Sequence, residues 1–528
     1  MEPGPGPWRF SLLLRGGMVV DGTGGPPFAA DVGVRDGRLA AVGDLSSAEA
    51  DRTIEAAGFC VSPGFIDIHS HSDFTILLDP RAEGKVRQGV TTEVIGMCGA
   101  SASPLAGEKL ARVRERNRDL KIGWSDLAGY RRRVEGEGTA VNLVPLTGQG
   151  NLRGSVIGYS GRSPAREEMR RMLALLEGEL AAGSRGVSTG LVYPPGAFSG
   201  FEELAEILRM ASAAGGVYST HMRDESDRVE EAVAEAIALA EETGVSLQIA
   251  HLKAQGRRNW ERLPRCLERI EAARSRGFSV HCDRYPYVAS ATDLDVLLPA
   301  WAIEGGPGAE LKRLRDPALR PKLRAGVERD DWEAVVISRV SRPGNRELEG
   351  MDLRAAARER GTSPADLFFR LLDEEELAVE ALFFGMDPAN LVRILKRPYA
   401  MIGSDASARP VRGPLARGRP HPRTFGTFPL VLGDFVREGI LTLEEAVRKM
   451  TGLPAEKLGL DDRGVIRPGA AADLTVFDPG RVRARASYRE PFHYPEGIEY
   501  VIVNGRVVVE AGNHTGNLPG VFLRGHST

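Results

Sequence analysis

Cysteine is scarce in this sequence, with four residues (Cys60, Cys98, Cys266 and Cys282) among 528. So few across such a length exclude a disulfide framework and lead us to expect a reducing, cytoplasmic setting. Charge of one sign is lacking too, since 69 Lys and Arg nearly cancel 72 Asp and Glu. That balance excludes a basic nucleic-acid surface and an acidic solvating tail. No apolar run is long enough to span a bilayer, so no membrane partner is expected. The start, MEPGPGPWRFSLLLRGG, lacks the basic, apolar and small-residue sections of a secretory leader. Internal repeats and low-complexity tracts are absent as well. What is left, at 42% hydrophobic and 27% charged, is the composition of a folded globular protein.

The length suggests two or three units, or one large barrel with additions. Residues 9 to 61 read as short strands and turns, with Asp36-Gly37 as a hairpin signal. The same texture returns near the C-terminus, where Asn504-Gly505 marks a turn in "IEYVIVNGRVVVEAG". Strand-rich ends around a long middle suggest one small β-sandwich built from both termini, over 1–62 and 461–528. The middle, 63–460, alternates strands with amphipathic helices such as "VEEAVAEAIALAEETG". Eight strands are expected in it: "GFIDIHS", "TTEVIGMCG", "AVNLVPLTG", "RGVSTGLVY", "GVYSTHM", "SLQIAHLKA", "FSVHCDRYPY" and "YAMIGSDAS". Eight such units predict an α/β fold of the TIM-type (β/α)8 barrel class, whose active site lies at the carboxyl ends of the strands. Residues 291 to about 350 break the alternation and are expected to form an insertion over the barrel mouth.

Polar groups gather at those strand ends. Strand one ends in Asp67, His69 and His71, which alternate onto one face. Cys98 follows strand two, His221 strand five, His251 and Lys253 strand six, and Asp405 strand eight. Imidazole, thiolate and carboxylate are zinc ligands, and a catalytic site keeps one position open for water. The thiolate of Cys98 could hold one ion or bridge two. Asp405 would be free to carry a proton. Other histidines and cysteines have plainer readings. His281, Cys60, Cys266 and Cys282 read as packing residues and His421 as a loop residue. His493, His514 and His526 read as surface.

The stretches "PGFIDIHSHSD", "QGVTTEVIGMCGASASPL", "GVSTGLVYPPG", "YSTHMRDE", "IAHLKAQG", "MIGSDAS" and "HPRTFGTFPLVLG" resemble, in order, the D-aminoacylase family of the amidohydrolase superfamily. The resemblance implies zinc-dependent hydrolysis of N-acyl-D-amino acids, a linear amide, with one or two zinc ions. It implies His69 and His71 as ligands of one metal position and His221 and His251 of the other. Cys98 would serve between them, and Asp405 would be the general acid/base and a further ligand. Lys253, Tyr193, Tyr285 and Arg423 match positions that hold the substrate carboxylate or shape the pocket. The loop before Arg423 carries Arg409, Arg412, Arg417 and Arg419, a basic departure from the family pattern. Rival readings are a cyclic amidase of the hydantoinase or dihydropyrimidinase kind, an esterase or D-residue peptidase, and a non-catalytic metal-binding scaffold. The preferred side chain, the acyl group and the oligomeric state are open at this point.

Overall fold

The computed structural model describes residues 9–523. Its centre is a barrel of eight parallel strands. They are β1 Phe65–Asp67, β2 Val90–Ile95, β3 Asn142–Pro145, β4 Gly186–Gly190, β5 Val217–His221, β6 Ser246–Ile249, β7 Val280–Arg284 and β8 Ala400–Ile402. Seven of the eight strand segments expected from the sequence contain one of them whole, and the eighth, "TTEVIGMCG", misses only Val90 of β2. All six residues of β2 are buried, as befits a parallel strand covered on both faces. The crossover helix Val229–Thr243 buries Val229, Val233, Ile237 and Ala240 at helical spacing and ends on Gly244 at φ 69°. The ring closes between β1 and β8. Ser70 bridges Ala406 there, and the Asp405 N–H donates to the His69 carbonyl at 2.8 Å.

Between β7 and β8 the strand–helix rhythm is interrupted. Strands Ala289–Asp293, Glu380–Phe384 and Val335–Arg339 form an antiparallel sheet, with Glu380–Phe384 in the middle. Trp332, Phe368, Phe369 and Leu372 fill a core of its own. The unit therefore reaches from 289 to 384, past the 291–350 expected. Its second part, the Ser363-capped helix Pro364–Glu374 followed by a strand, has the pattern of one more barrel unit. Periodicity alone cannot tell that strand's antiparallel partners from parallel ones.

Strands from both chain ends share one sheet. Cys60–Pro63 pairs with Leu12–Val19 on one side and Leu474–Phe477 on the other. Leu14, Val32, Val61, Leu474 and Ile502 lie in a common apolar core. Asp473 ties this sheet to the barrel. It accepts from Asn142 Nδ2 at 2.9 Å and from the Asn504 N–H at 2.7 Å, and it pairs with buried Arg463. Residues 1–8 and 524–528, with His526, lie outside the described residues. No helix among the described residues is long and apolar enough to cross a membrane.

Candidate metal centre

Six side chains singled out in the sequence meet at the carboxyl ends of the strands. The Cys98 sulfur lies 3.3 Å from His69 Nε2 and 3.6 Å from His251 Nε2. Asp405 Oδ1 is 3.0 Å from His71 Nε2 and 3.4 Å from His69 Nε2. Two donor sets result, each with its ligand atoms within 4.8 Å of one another. One is His69, His71, Cys98 and Asp405; the other is Cys98, His221 and His251. Cys98 belongs to both. Three of these residues, Cys98 (φ 52°), His251 (φ 36°) and Asp405 (φ 50°), have left-handed backbone. Such conformations cost non-glycine residues about 1–3 kcal/mol each and persist only where the surroundings fix them.

Two carboxylates that sequence reading does not single out hold the ligands from behind. Asp283, on β7, lies 3.1 Å from His69 Nδ1 and accepts from the His251 backbone N–H at 2.9 Å. Gln248 Nε2 donates to its other oxygen at 2.9 Å. One carboxylate thus orients a ligand from each donor set. Glu225 reaches His251 Nδ1 at 2.9 Å, His221 Nε2 at 3.5 Å and Lys253 Nζ at 2.5 Å. The only sequence signals are the inward parity of Asp283 beside Cys282 and the placing of Glu225 four residues after His221.

Charges in the centre are strongly coupled. Burial opposes the Cys98 thiolate, yet His69 and hydrogen bonds from His221 and His251 hold its pKa well below the usual thiol range. Burial likewise opposes charge on His71, but Asp405 and Cys98 outweigh it and raise the pKa to about 9. His251 also reaches about 9, with burial and Lys253 opposing and Glu225, Asp405 and Cys98 prevailing. Asp405 stays well below the carboxylate range because Arg423, His69 and His251 outweigh its burial. Anionic sulfur and oxygen thus draw positive charge onto His71 and His251, charge that a divalent cation would supply in place of protons. The other thiols differ. Burial pushes Cys60 up to about 11 and Cys266 and Cys282 up to about 12, so they are neutral packing groups.

The centre opens into a cavity of about 1520 Å³, lined in part by the 289–384 unit. Arg423 Nη1 lies 2.8 Å from Asp405 Oδ2, and its guanidinium stacks over Tyr285 at 4.6 Å. Tyr193 shares a hydrogen bond of 2.9 Å with Thr292 of strand Ala289–Asp293. The buried Tyr285 hydroxyl has no protein partner. Burial would raise its pKa, but Lys253, Arg284 and Arg423 together lower it. His421 lies in a loop, as expected, and is also buried: Nε2 donates to the Ala289 carbonyl at 2.9 Å and Nδ1 accepts from the Arg423 N–H at 3.0 Å. It thereby fixes the inserted strand and Arg423 together. Of the loop arginines, Arg409 lines the cavity, Arg419 donates to the Glu349 and Arg489 carbonyls, and Arg412 and Arg417 are exposed.

An Amidohydrolase family model matches residues 413–509. An N-acyl-D-glutamate deacylase of Alcaligenes xylosoxydans xylosoxydans is 37% identical over 98% of this chain and 97% of its own length. A D-aminoacylase of the same organism is 38% identical over 97% of each chain. This chain belongs to the D-aminoacylase family of amidohydrolases. A crystal structure of N-acyl-D-glutamate deacylase from Bordetella bronchiseptica is complexed with zinc and a phosphonate inhibitor that mimics the tetrahedral intermediate. It superposes with a TM-score of 0.84 at 34% identity, covering 98% of this chain and all of that one. In this D-aminoacylase-family chain the donors fit a borderline-soft cation: imidazole nitrogens on either side of a shared thiolate, with one carboxylate.

Proposed function

We propose that this protein hydrolyses N-acyl-D-amino acids to a carboxylate and a D-amino acid, with zinc held by the two donor sets. The observation that carries the reading is the shared Cys98 sulfur between histidines of β1, β5 and β6, with Asp405 beside it. Likeness to deacylases along nearly the whole chain supports the substrate class and its D configuration. His69, His71, Cys98 and Asp405 would hold one ion, and Cys98, His221 and His251 a second. Zinc in such a set supplies Lewis acidity and acidifies water to a pKa of ~7.

The chain's own residues do the rest. Asp405, kept ionised by Arg423, accepts a proton from the attacking water and delivers it to the leaving nitrogen. Proton transfer by a positioned group contributes about 10²–10⁴-fold. The water oxygen joins the acyl carbon, the C–N bond breaks, the amine leaves neutral, and the second water proton passes to solvent as the new carboxylic acid ionises to the carboxylate. Lys253, Tyr193, Tyr285 and Arg423 bind the substrate's α-carboxylate, for which Arg offers two parallel hydrogen bonds. The free state of all four cysteines supports a cytoplasmic setting.

The test is metal analysis of the purified protein, then hydrolysis of N-acetyl-D- and N-acetyl-L-amino acids with and without chelator. Chelator-sensitive release of D-amino acids is the expected result. Bound zinc with turnover only of hydantoin or dihydropyrimidine rings would overturn it.

A further inference from the structure

Beneath the ligands lies a buried charged cluster that the reaction just described does not use. Lys85, on the short helix Glu83–Val86, is fully buried. Its ammonium donates to Asp67 Oδ2 at 2.7 Å, to Ser404 Oγ at 2.8 Å and to the Ala406 carbonyl at 2.7 Å. All three of its N–H bonds are used. Glu93 Oε2 stands 3.4 Å away and accepts from Ser72 Oγ at 2.5 Å. Asp67 also accepts from the Ser404 N–H at 2.8 Å and from its hydroxyl at 2.5 Å. Both chain neighbours of Asp405 are therefore fastened to one ammonium.

Asp405 needs that fastening. Its backbone is left-handed, a conformation aspartate tolerates better than most residues but one that is still less favourable than the right-handed and extended regions. Its own N–H is spent on the His69 carbonyl at 2.8 Å, so the turn links β8 to the first metal ligand. A solvated lysine is easily replaced; a buried one with Asp67 and Glu93 around it must be desolvated, and here two of its three bonds go to this turn and the third to Asp67, which itself accepts from Ser404.

We infer that Lys85 is a positioning residue: by holding Ser404 and Ala406 it sets the backbone of Asp405 and aims its carboxylate between His71 and Arg423. The inference rests on the role proposed above for Asp405. Lys85 touches neither the cavity nor a ligand atom among the described contacts, so it acts through backbone: chiefly that of Asp405, and also that of His69 and His71, whose N–H groups donate to Asp67 Oδ1 at 3.3 Å and to the Ala406 carbonyl at 3.2 Å.

The test uses two variants of the full chain. Lys85→Met keeps the side-chain length and removes the ammonium; Ser404→Ala removes one arm and leaves the charges balanced. Metal content, kcat and KM for an N-acetyl-D-amino acid, and the absorption spectrum of the cobalt(II)-substituted protein are measured. Both variants are expected to carry the parental amount of metal with a nearly parental KM. Their kcat is expected to fall about 10- to 100-fold, the range for residues that support ligands from behind. The cobalt(II) spectrum is expected to shift, which a role in general stability would not produce. Where Lys85→Met does not fold, because two buried carboxylates lose their partner, Ser404→Ala carries the test. Folded Ser404→Ala with parental kcat and a parental cobalt(II) spectrum would overturn the inference. If the unaltered protein hydrolyses no acyl-D-amino acid, the proposed reaction is at fault, and the cobalt(II) spectra alone decide the place of Lys85.

Discussion

Asp405 is both a member of a donor set and the nearest carboxylate to Arg423, so its two duties can be separated by substitution. Asp405→Asn preserves size and suits left-handed backbone, whereas alanine would add strain there. The variant is expected to retain metal through His69, His71 and Cys98 while kcat falls about 10²–10⁴-fold. Metal analysis beside steady-state kinetics checks both halves, and a parental kcat would remove Asp405 from the proton path. A quieter residue sets a pH effect. Burial, together with Lys457 and Arg274, depresses His281 to about 3, against 6.5 when unfolded. Above 6.5 both states are neutral. Below it the unfolded chain takes a proton that the folded chain refuses, so stability declines toward acid. In His281→Gln the urea midpoint is expected to fall less steeply as the pH drops below 6.5; equal slopes would show that His281 contributes nothing. At this scale the legible residues were those with a spacing signature, the His69–His71 pair above all. Asp283 and Glu225 were not, because each is a lone carboxylate: the partners of Asp283 follow other strands, and Glu225 joins His221 of the preceding strand to His251 and Lys253 beyond the next.

Among elements, the barrel strands were readable because a buried parallel strand is a short apolar run with a polar end. The inserted unit was readable only where it broke that rhythm. Its last helix and strand repeat the barrel's own pattern, and only pairing with Ala289–Asp293 and Val335–Arg339 reveals them. Close approach between β8 and β1 was invisible as well. A Cβ built on Gly403 would lie 2.8 Å from His69 Cβ, so the glycine lets the two strand ends meet at the ligands. Gly403→Ala is expected to push His69 aside and weaken metal binding by about 10- to 100-fold. Competition with a chelator would measure it, and unchanged affinity would show that His69 has room to yield.

For the whole molecule, the sheet made from both chain ends was legible in the repeated strand-and-turn texture, but its attachment to the barrel was not. Asp473 makes that attachment, through Asn142 of β3 and Asn504 of the sheet, and it neutralises Arg463. Asp473→Ala leaves the buried guanidinium of Arg463 with only its longer pair to Asp462 at 3.6 Å and is expected to cost about 3 kcal/mol, read by chemical denaturation. A loss below 1 kcal/mol would mean that solvent reaches Arg463.

The same sheet has a consequence for synthesis. Ser62 and Thr475, neighbours across paired strands, are 413 residues apart in the chain. At 5–20 residues per second the ribosome takes about 20 to 80 seconds to make that span. Throughout it, the first strands present a bare sheet edge that other nascent chains can pair with. The barrel must be nearly complete before its amino-terminal flank finds its partner. Chains released before Leu474 are thus expected to collect in the insoluble fraction, and full-length yield is expected to rise with chaperones that shield strand edges.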